Sequence, residues 1–195
     1  MSESRPSVVI LAGPNGAGKS TAAAALLQGT LAVNEFVNAD VIAHDLSAGD
    51  PDSAAIAAGR VMLARLHELA EQRVSFAFET TLASRTFAPW LRDLRASGYD
   101  AQLVFLWLPS ADFAVARVAD RVRSGGHNVP EETIRRRYLS GLRNFFSLYL
   151  PLASAWRLYD SSNLVPGLIA GGLERQPPKV YDEAGWGVIR RQGTA

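Results

Sequence analysis

Residues Ile10–Leu27 read ILAGPNGAGKSTAAAALL, and within them Gly13–Ser20 fits the phosphate-loop pattern G-x-x-x-x-G-K-[ST]. The apolar, β-branched run Ser7–Ala12 before the loop predicts a buried parallel strand. The alanine-rich segment Lys19–Gln28 after it predicts a helix. Between a strand and a helix, glycines let successive backbone N–H groups converge on phosphate oxygens at the helix N-terminus. This arrangement predicts a nucleotide-binding loop.

Two side chains of this loop have an expected chemical role. Lys19 is expected to bridge the β- and γ-phosphates, and the Ser20 hydroxyl is expected to coordinate Mg²⁺. Only two of the 20 basic residues of the chain are lysines, Lys19 and Lys179. A compact ammonium fits among phosphate oxygens where a wide guanidinium does not, so Lys at position 19 indicates a chemical requirement. The predicted nucleotide-binding residues of the loop are Gly13, Pro14, Asn15, Gly16, Ala17, Gly18, Lys19, Ser20 and Thr21.

The rest of the chain alternates predicted strands and helices. The further predicted strands are Asn34–Asp40, Val74–Thr81, Ala101–Leu108 and Trp156–Ser162, with a short one near Leu168–Ala170. The further predicted helices are Pro51–Arg73, Ser84–Ser97 with Gly98 as its cap, Ser110–Arg123, Glu131–Leu150 and a final helix within Leu164–Arg191. This alternation predicts an α/β fold of the P-loop NTPase type, a three-layer α/β/α sandwich around a mostly parallel sheet with a helical lid insert. We expect a single domain over residues 1–195.

Composition narrows the class of protein. The chain has 195 residues, of which 48% are hydrophobic and 20% charged, a formal net charge of +1 and no cysteine. The charge gives no support to a nucleic-acid surface, and the lack of cysteine excludes disulfides and thiolate metal sites. No apolar run approaches the roughly 20 residues that span a bilayer. We expect a cytoplasmic enzyme or regulator that binds neither nucleic acid nor membrane.

Two classes of P-loop protein do not fit. The letters of the loop resemble ABC transporter ATPases, but the L-S-G-G-Q signature and the second acidic motif of that class are absent, and YLSGLRN (Tyr138–Asn144) resembles the signature only superficially. A GTPase switch should carry an N-K-x-D motif, and the chain has none.

An arginine-rich segment follows the fourth predicted strand. Its sequence, RVADRVRSGGHNVPEETIRRRY, covers Arg117–Tyr138, and two helical pieces joined by a Gly-Gly-His loop suit a lid that closes over ATP. Such a lid, within Arg117–Arg143, would stabilise the transferring phosphoryl group and exclude water. The alternative is a solvated amphipathic helix whose arginines face water.

Two acids end predicted strands at the phosphate edge of the sheet. Asp40 lies 21 positions after Lys19 and could accept a proton from a substrate hydroxyl. Glu79, in FETT, could bind substrate hydroxyls or hold Mg²⁺ through water, and Thr81 could donate to a substrate. The alternatives are an N-cap role for Asp40 and simple structural capping for Glu79.

Together these motifs resemble the zeta toxin family, over about residues 7–170. GPNGAGKST, NAD, FETT and RVxxGGHxVPxxxIRRRY carry the resemblance. It implies a kinase that transfers the γ-phosphate of ATP or GTP to the 3′-hydroxyl of a UDP-N-acetyl amino sugar such as UDP-N-acetylglucosamine, and a separate antitoxin chain as partner. By matching position it assigns Lys19 and Ser20 to the nucleotide and Mg²⁺, Asp40 to the base, and Glu79 and Thr81 to the sugar.

The resemblance also assigns two lid arginines to the phosphates, about thirteen residues apart; the candidates are Arg121 or Arg123, with Arg136. LYDSSN, at the end of the fifth predicted strand, stands where related small kinases contact adenine, which points to Ser162 and Asn163. FETT departs from the Glu-Gly-Thr typical of the toxins. Two alternatives therefore stay open, a kinase for another small polyol, sugar or antibiotic, and an ATP-binding regulatory module with little turnover.

Overall fold

The computed structural model describes residues 5–28, 33, 35–39, 41–42 and 51–194, with the backbone alone at 24–28 and 51–56. The strands in these ranges are β1 Ser7–Ala12, β2 Glu35–Val37, β3 Phe76–Thr80, β4 Asp100–Trp107, β5 Ala155–Asp160, β6 Gly167–Leu173 and β7 Lys179–Val180. The helices are α1 Lys19–Gln28, α2 Pro51–Glu71, α3 Phe87–Ala96, α4 Ala111–Arg123, α5 Glu131–Asn144 and α6 Glu183–Thr194. A π-helical turn, Phe145–Tyr149, and a 3₁₀ turn, Leu150–Leu152, follow α5 directly.

The described strands form one sheet in the order β2-β3-β1-β4-β5-β6-β7. The first five strands in this order are parallel, while β6 runs antiparallel to β5 and β7 antiparallel to β6. Because β1 lies between β3 and β4, the loop that follows it at Gly13 emerges in the middle of the carboxyl edge. Ligands of open α/β sheets bind at this edge. The predicted mostly parallel α/β sheet is confirmed.

Apolar side chains cover both faces of the sheet. Successive residues of a strand point to opposite faces, so β1 sends Val8 and Ile10 into one core cluster and Val9 and Leu11 into the other. The first cluster includes residues of α2, α3 and α6, and the second includes residues of α4 and the start of α5. The two clusters give the three layers that the alternation of strands and helices predicts. In the described ranges, no helix combines the length and apolarity needed to cross a membrane.

The element boundaries differ from prediction in three places. The helix expected from Ser84 begins at Phe87, because the Ser84 hydroxyl accepts the backbone N–H of Thr86 at 3.1 Å and forms a turn. The helix expected to reach Leu150 is α-helical only to Asn144. The strand near Leu168–Ala170 is longer than expected, and the two-residue β7 that pairs with it is too short to leave a periodic signal.

Candidate functional site

The phosphate loop adopts a backbone that only glycine fits. Gly13 has φ +144°, and a Cβ there would lie 2.3 Å from the Leu106 carbonyl oxygen on β4. Gly16 has φ +81°, and its Cβ would lie 2.8 Å from the Arg117 Cβ on α4. Side chains at these two positions would push the loop away from the sheet and from α4. Gly18 also has positive φ, at +77°, at the start of α1.

Lys19 lies at the centre of the site. Its side chain is buried, and its Nζ donates to the Pro14 carbonyl oxygen at 3.0 Å. The same nitrogen lies 3.6 Å from Oε1 of Glu79. Ser20, exposed at the start of α1, donates its hydroxyl to Oε2 of Glu79 at 2.9 Å, and Thr21 beside it is exposed. Two of the predicted nucleotide-binding residues, Lys19 and Ser20, therefore contact the predicted acid, Glu79.

The sheet register explains this meeting. Glu79 pairs with Leu11 across β3 and β1, one position from the end of each strand. Parallel neighbours end at the same edge, so a carboxylate at the end of β3 faces the helix that follows β1. Asn38, just after β2, donates its Nδ2 to Oε2 of Glu79 at 2.9 Å. Three strand ends and one helix start converge on this carboxylate.

A cleft of about 540 Å³ opens beside Lys19 and Glu79. Its walls come from the phosphate loop, the end of β3 with the following loop, α2 and α5. Its polar lining includes Asn15, Lys19, Glu79, Thr81, Arg136 and Arg137. Met62, Leu63 and Phe87 add an apolar wall. A cleft with an apolar side and a few convergent polar groups is the usual form of a small-molecule site.

Three arginines at this cleft have no acidic partner among the described residues. Arg60 of α2 and Arg136 and Arg137 of α5 line the cleft, and no described carboxylate lies within 4.0 Å of their guanidinium groups. By contrast, the charges of Lys19 and Glu79 offset each other. The described side chains of the cleft therefore carry an excess of positive charge, which favours an anionic ligand.

The other two candidate lid arginines lie on α4, outside this cleft. The Nη2 of Arg121 donates to the His127 carbonyl oxygen at 2.7 Å, within the turn that joins α4 to α5. The side chain of Arg123 is 75% exposed and forms an ion pair with Asp120. Of the lid arginines predicted from sequence, the structure brings Arg136 to the cleft, while Arg121 and Arg123 face elsewhere.

The predicted adenine-contacting loop lies against the phosphate loop. The Ser161 hydroxyl donates to the Ala17 carbonyl oxygen at 2.8 Å, and both residues are buried. Arg117 donates its Nη2 to the carbonyl oxygens of Ser161 and Ser162, at 3.2 and 2.8 Å. Asn163, next in the chain, is exposed. The end of β5 is thus fastened beside the phosphate loop, where Ser162 and Asn163 were expected.

Asp40, the predicted base, lies outside the described residues. Asn38 and Ala39, which precede it, both line the cleft.

Three polar residues of the site are not singled out by the sequence. Arg60, Asn38 and Arg137 gave no signal of their own, because Arg60 falls in a long amphipathic helix, Asn38 in the NAD triplet and Arg137 within a run of arginines. Arg117, at the start of the predicted lid segment, donates from its guanidinium to backbone carbonyl oxygens. Helical spacing alone does not predict that Arg136 and Arg137 face the cleft, because it does not show which elements pack opposite α5.

A model of the zeta toxin family matches residues 1–150 of the 195. The chain belongs to the zeta toxin family. The predicted resemblance is therefore confirmed, and family and fold together support a P-loop phosphotransferase.

Individual relatives are distant in sequence. An uncharacterized protein of Haemophilus influenzae is 28% identical over 130 residues, which are 67% of this chain and 91% of that protein. The crystal structure of the AvrRxo1-ORF1:-ORF2 complex with ATP superposes with a TM-score of 0.75 at 16% identity, and covers 96% of this chain. This zeta toxin family member spans 64% of the length of that AvrRxo1 chain.

A structure of the PezAT chromosomal toxin–antitoxin system of Streptococcus pneumoniae superposes with a TM-score of 0.62 at 12% identity. It covers 98% of this chain and 87% of that one. At such identities, both structural likenesses establish a shared fold.

Proposed function

We propose that this protein is a kinase that transfers the γ-phosphate of ATP or GTP to a hydroxyl group of an acceptor bound in the cleft. The observation that carries the proposal is the meeting of Lys19 and Glu79, 3.6 Å apart, at a cleft whose α5 wall carries Arg136. A phosphate-binding lysine, an acid for acceptor hydroxyls and a guanidinium without an acidic partner among the described residues are the parts that phosphoryl transfer needs.

The phosphate loop suits a nucleotide triphosphate. Gly16 and Gly18 hold the positive φ angles that let backbone N–H groups face one concavity, as in other anion-binding loops. The buried Oδ1 of Asn15 has no hydrogen-bond partner in the described part of the chain, and the same amide turned over would donate to a phosphate oxygen. Release of Lys19 from the Pro14 carbonyl would free its ammonium for the β- and γ-phosphates.

The residues for Mg²⁺ are hard oxygen donors. The Ser20 hydroxyl lies 2.9 Å from a Glu79 carboxylate oxygen, and hydroxyl and carboxylate oxygens are the ligands that Mg²⁺ prefers. Ser20 would hold the ion directly and Glu79 through water. When bound, the ion supplies charge neutralisation on the β- and γ-phosphates.

In the proposed step, the acceptor oxygen bonds to the γ-phosphorus while the bond from that phosphorus to the β,γ-bridging oxygen breaks. The nucleoside diphosphate leaves, and the acceptor proton passes to Asp40, the proposed base. Arg136 would stabilise the charge on the phosphoryl group in transfer. Arg121 or Arg123 is the second proposed phosphate contact of the lid, within residues 117–143.

For the acceptor we propose a UDP-N-acetyl amino sugar, phosphorylated at the 3′-hydroxyl and available in the cytoplasm. Glu79 and Thr81 at the cleft would contact the sugar hydroxyls. Arg60 and Arg137, without acidic partners among the described residues, would contact the diphosphate, since guanidinium pairs well with phosphate oxygens. A neutral polyol would leave these two cations without a counter-charge.

The test compares nucleotide turnover with and without UDP-N-acetylglucosamine, with the phosphorylated sugar identified by mass spectrometry. We expect acceptor-dependent turnover in the wild-type protein and its loss in Lys19→Ala, together with weaker ATP binding. Asp40→Ala should retain ATP affinity but lower kcat by about 10²–10⁴-fold, the usual contribution of a general base. Arg92→Ala, at an exposed arginine of α3 that does not line the cleft, is the matched control.

The outcomes separate the candidate functions. Phosphorylation of another sugar, polyol or antibiotic in place of UDP-N-acetylglucosamine would support the proposed kinase activity and contradict the proposed acceptor. Equal background hydrolysis with every acceptor would contradict the kinase and support an ATP-binding regulatory module.

We further propose that a separate antitoxin chain is the partner of this protein, because the family resemblance implies one and the PezAT structure belongs to a toxin–antitoxin system. Expression of the wild-type chain alone is expected to arrest bacterial growth, while Lys19→Ala should not. Equal growth of cells that express either chain at the same level would contradict a toxic activity.

A further inference from the structure

The loop that follows β3 has a strained backbone. Leu82, a bulky residue with a fully buried side chain, adopts φ +56°, a conformation that L-residues rarely take. The Thr80 hydroxyl accepts the Leu82 N–H at 3.1 Å and supports this turn from within. Strain of this kind persists only where the surroundings hold it, and it is concentrated at functional sites. The flanking residues Thr81, Ala83 and Ser84 line the cleft.

Two buried side chains hold three successive carbonyl groups of this loop. Asn144, at the end of α5, donates its Nδ2 to the carbonyl oxygens of Leu82 at 2.8 Å and Ala83 at 3.2 Å. The Tyr149 hydroxyl donates to the Ser84 carbonyl oxygen at 2.6 Å. Burial raises the pKa of Tyr149 to about 12, so this hydroxyl stays a donor at neutral pH.

The π-helical turn is what brings these two side chains to one side. Asn144 and Tyr149 are five residues apart, and in an α-helix of 3.6 residues per turn they would point about 140° away from each other. In a π-helical turn the hydrogen bonds join residues i and i+5, which stacks such a pair. The bond from the Leu150 N–H to the Phe145 carbonyl oxygen shows this spacing here.

A glycine lets α5 approach the same loop. A Cβ at Gly141 would lie 2.3 Å from the Thr81 carbonyl oxygen, so no other residue fits without moving the loop. Gly141 and Asn144 both belong to YLSGLRN, the segment that resembles an ABC signature. Together they contact the backbone from Thr81 to Ala83.

We propose that Asn144 and Tyr149 are positioning residues for the acceptor: through the carbonyl groups of Leu82, Ala83 and Ser84 they fix the loop that presents Thr81 to the cleft. The inference rests on the proposed function, in which Thr81 contacts the acceptor. It gives YLSGLRN a role unrelated to that of an ABC signature. It also joins the acceptor loop, through Asn144, to the helix that carries Arg136.

The test measures KM for UDP-N-acetylglucosamine and for ATP in Tyr149→Phe and Asn144→Leu. Loss of one net hydrogen bond in Tyr149→Phe should raise the acceptor KM about two- to tenfold, and loss of two in Asn144→Leu should raise it at least as much, with the ATP KM unchanged in both. Tyr99→Phe is the matched control: Tyr99 is also buried, and its hydroxyl donates to the Val74 carbonyl oxygen at 2.9 Å, at the opposite edge of the sheet. This control should lower the unfolding temperature without changing either KM.

A double-mutant cycle with Thr81→Val tests whether the effect passes through Thr81. If it does, Thr81→Val raises the acceptor KM less in the Tyr149→Phe background than in the wild type. Additive effects, or equal changes of both KM values, would overturn the proposal.

Amide hydrogen exchange tests the positioning role of Asn144 and Tyr149 independently of the proposed kinase activity. In Asn144→Leu and Tyr149→Phe, the amides of residues 82–86 should exchange faster than in the wild type and in Tyr99→Phe. If the wild type phosphorylates no acceptor, the proposed function fails while faster exchange still supports the positioning role. Unchanged exchange in both variants would overturn that role whatever the activity.

Discussion

Lysine and arginine take different parts in this site. Lys19, buried in the phosphate loop, is the compact cation beside Glu79. The cations on the cleft walls are all arginines, Arg60, Arg136 and Arg137. A guanidinium presents several donors in one plane and stays charged, which suits it to reach phosphate oxygens from a helix surface.

The lid arginines are expected to differ in importance. Arg136 lines the cleft, whereas Arg123 is exposed and paired with Asp120. We expect Arg136→Ala to lower kcat by about 10³-fold, the lower end of the effect of a catalytic arginine on phosphoryl transfer. Arg123→Ala should lower kcat less, and the control Arg92→Ala should not change it. Steady-state kinetics with UDP-N-acetylglucosamine would measure the three. The reverse order of Arg136 and Arg123 would show that α4 moves to the phosphates when the nucleotide binds.

The helices α4 and α5 are held to the rest of the fold by buried residues. Val118 of α4 and Ile134 of α5 lie in the same core cluster, and the buried Tyr138 donates its hydroxyl to the Leu108 carbonyl oxygen at 2.8 Å. The amphipathic character that sequence detects in this segment therefore serves packing as well as the cleft. Its boundaries as a lid, 117–143, stay a prediction.

The end of β5 is expected to support the phosphate loop. Ser161→Ala removes the bond from its hydroxyl to the Ala17 carbonyl oxygen, so the loop loses one anchor. ATP affinity should fall about two- to tenfold, the effect of one net hydrogen bond. Calorimetric titration with ATP would measure it. Ser97→Ala, which removes a similar bond to the Leu94 carbonyl oxygen at the end of α3, is the control and should leave the affinity unchanged. An equal ATP affinity in both variants would show that the phosphate loop keeps its shape without the hydrogen bond from Ser161.

The residues after the family match add four elements to the described fold. Residues 155–194 add β5, β6, β7 and α6, and Ile189 of α6 is fully buried in the larger core cluster. Gln192 accepts a hydrogen bond from the Trp107 indole at 3.1 Å and donates one to the Pro109 carbonyl oxygen, and its Oε1 lies 3.1 Å from the Tyr138 hydroxyl oxygen. The last helix thus joins β4, α5 and the start of α4, and the core of this protein depends on it.

Much of this architecture follows from local patterns in the sequence. Neighbouring residues predict the phosphate loop, the strand and helix beside it, and the alternation of strands and helices that gives a parallel sheet. They do so because backbone geometry and apolar periodicity act over a few positions. Even Glu79 could be placed at the right edge, since parallel strands end together.

Contacts between residues far apart in the chain came only from the tertiary structure. Arg60 shares a cleft with Arg136, and Asn144 holds carbonyl groups 61 and 62 positions earlier. Such pairs leave no periodic signal in the sequence, because they depend on how the helices pack across the sheet. The contact of Asn144 also depends on a π-helical turn, which the pattern of residues does not predict. The sequence therefore predicts where a phosphate would bind, while the packing of the helices decides which arginines and which loop line the cleft beside it.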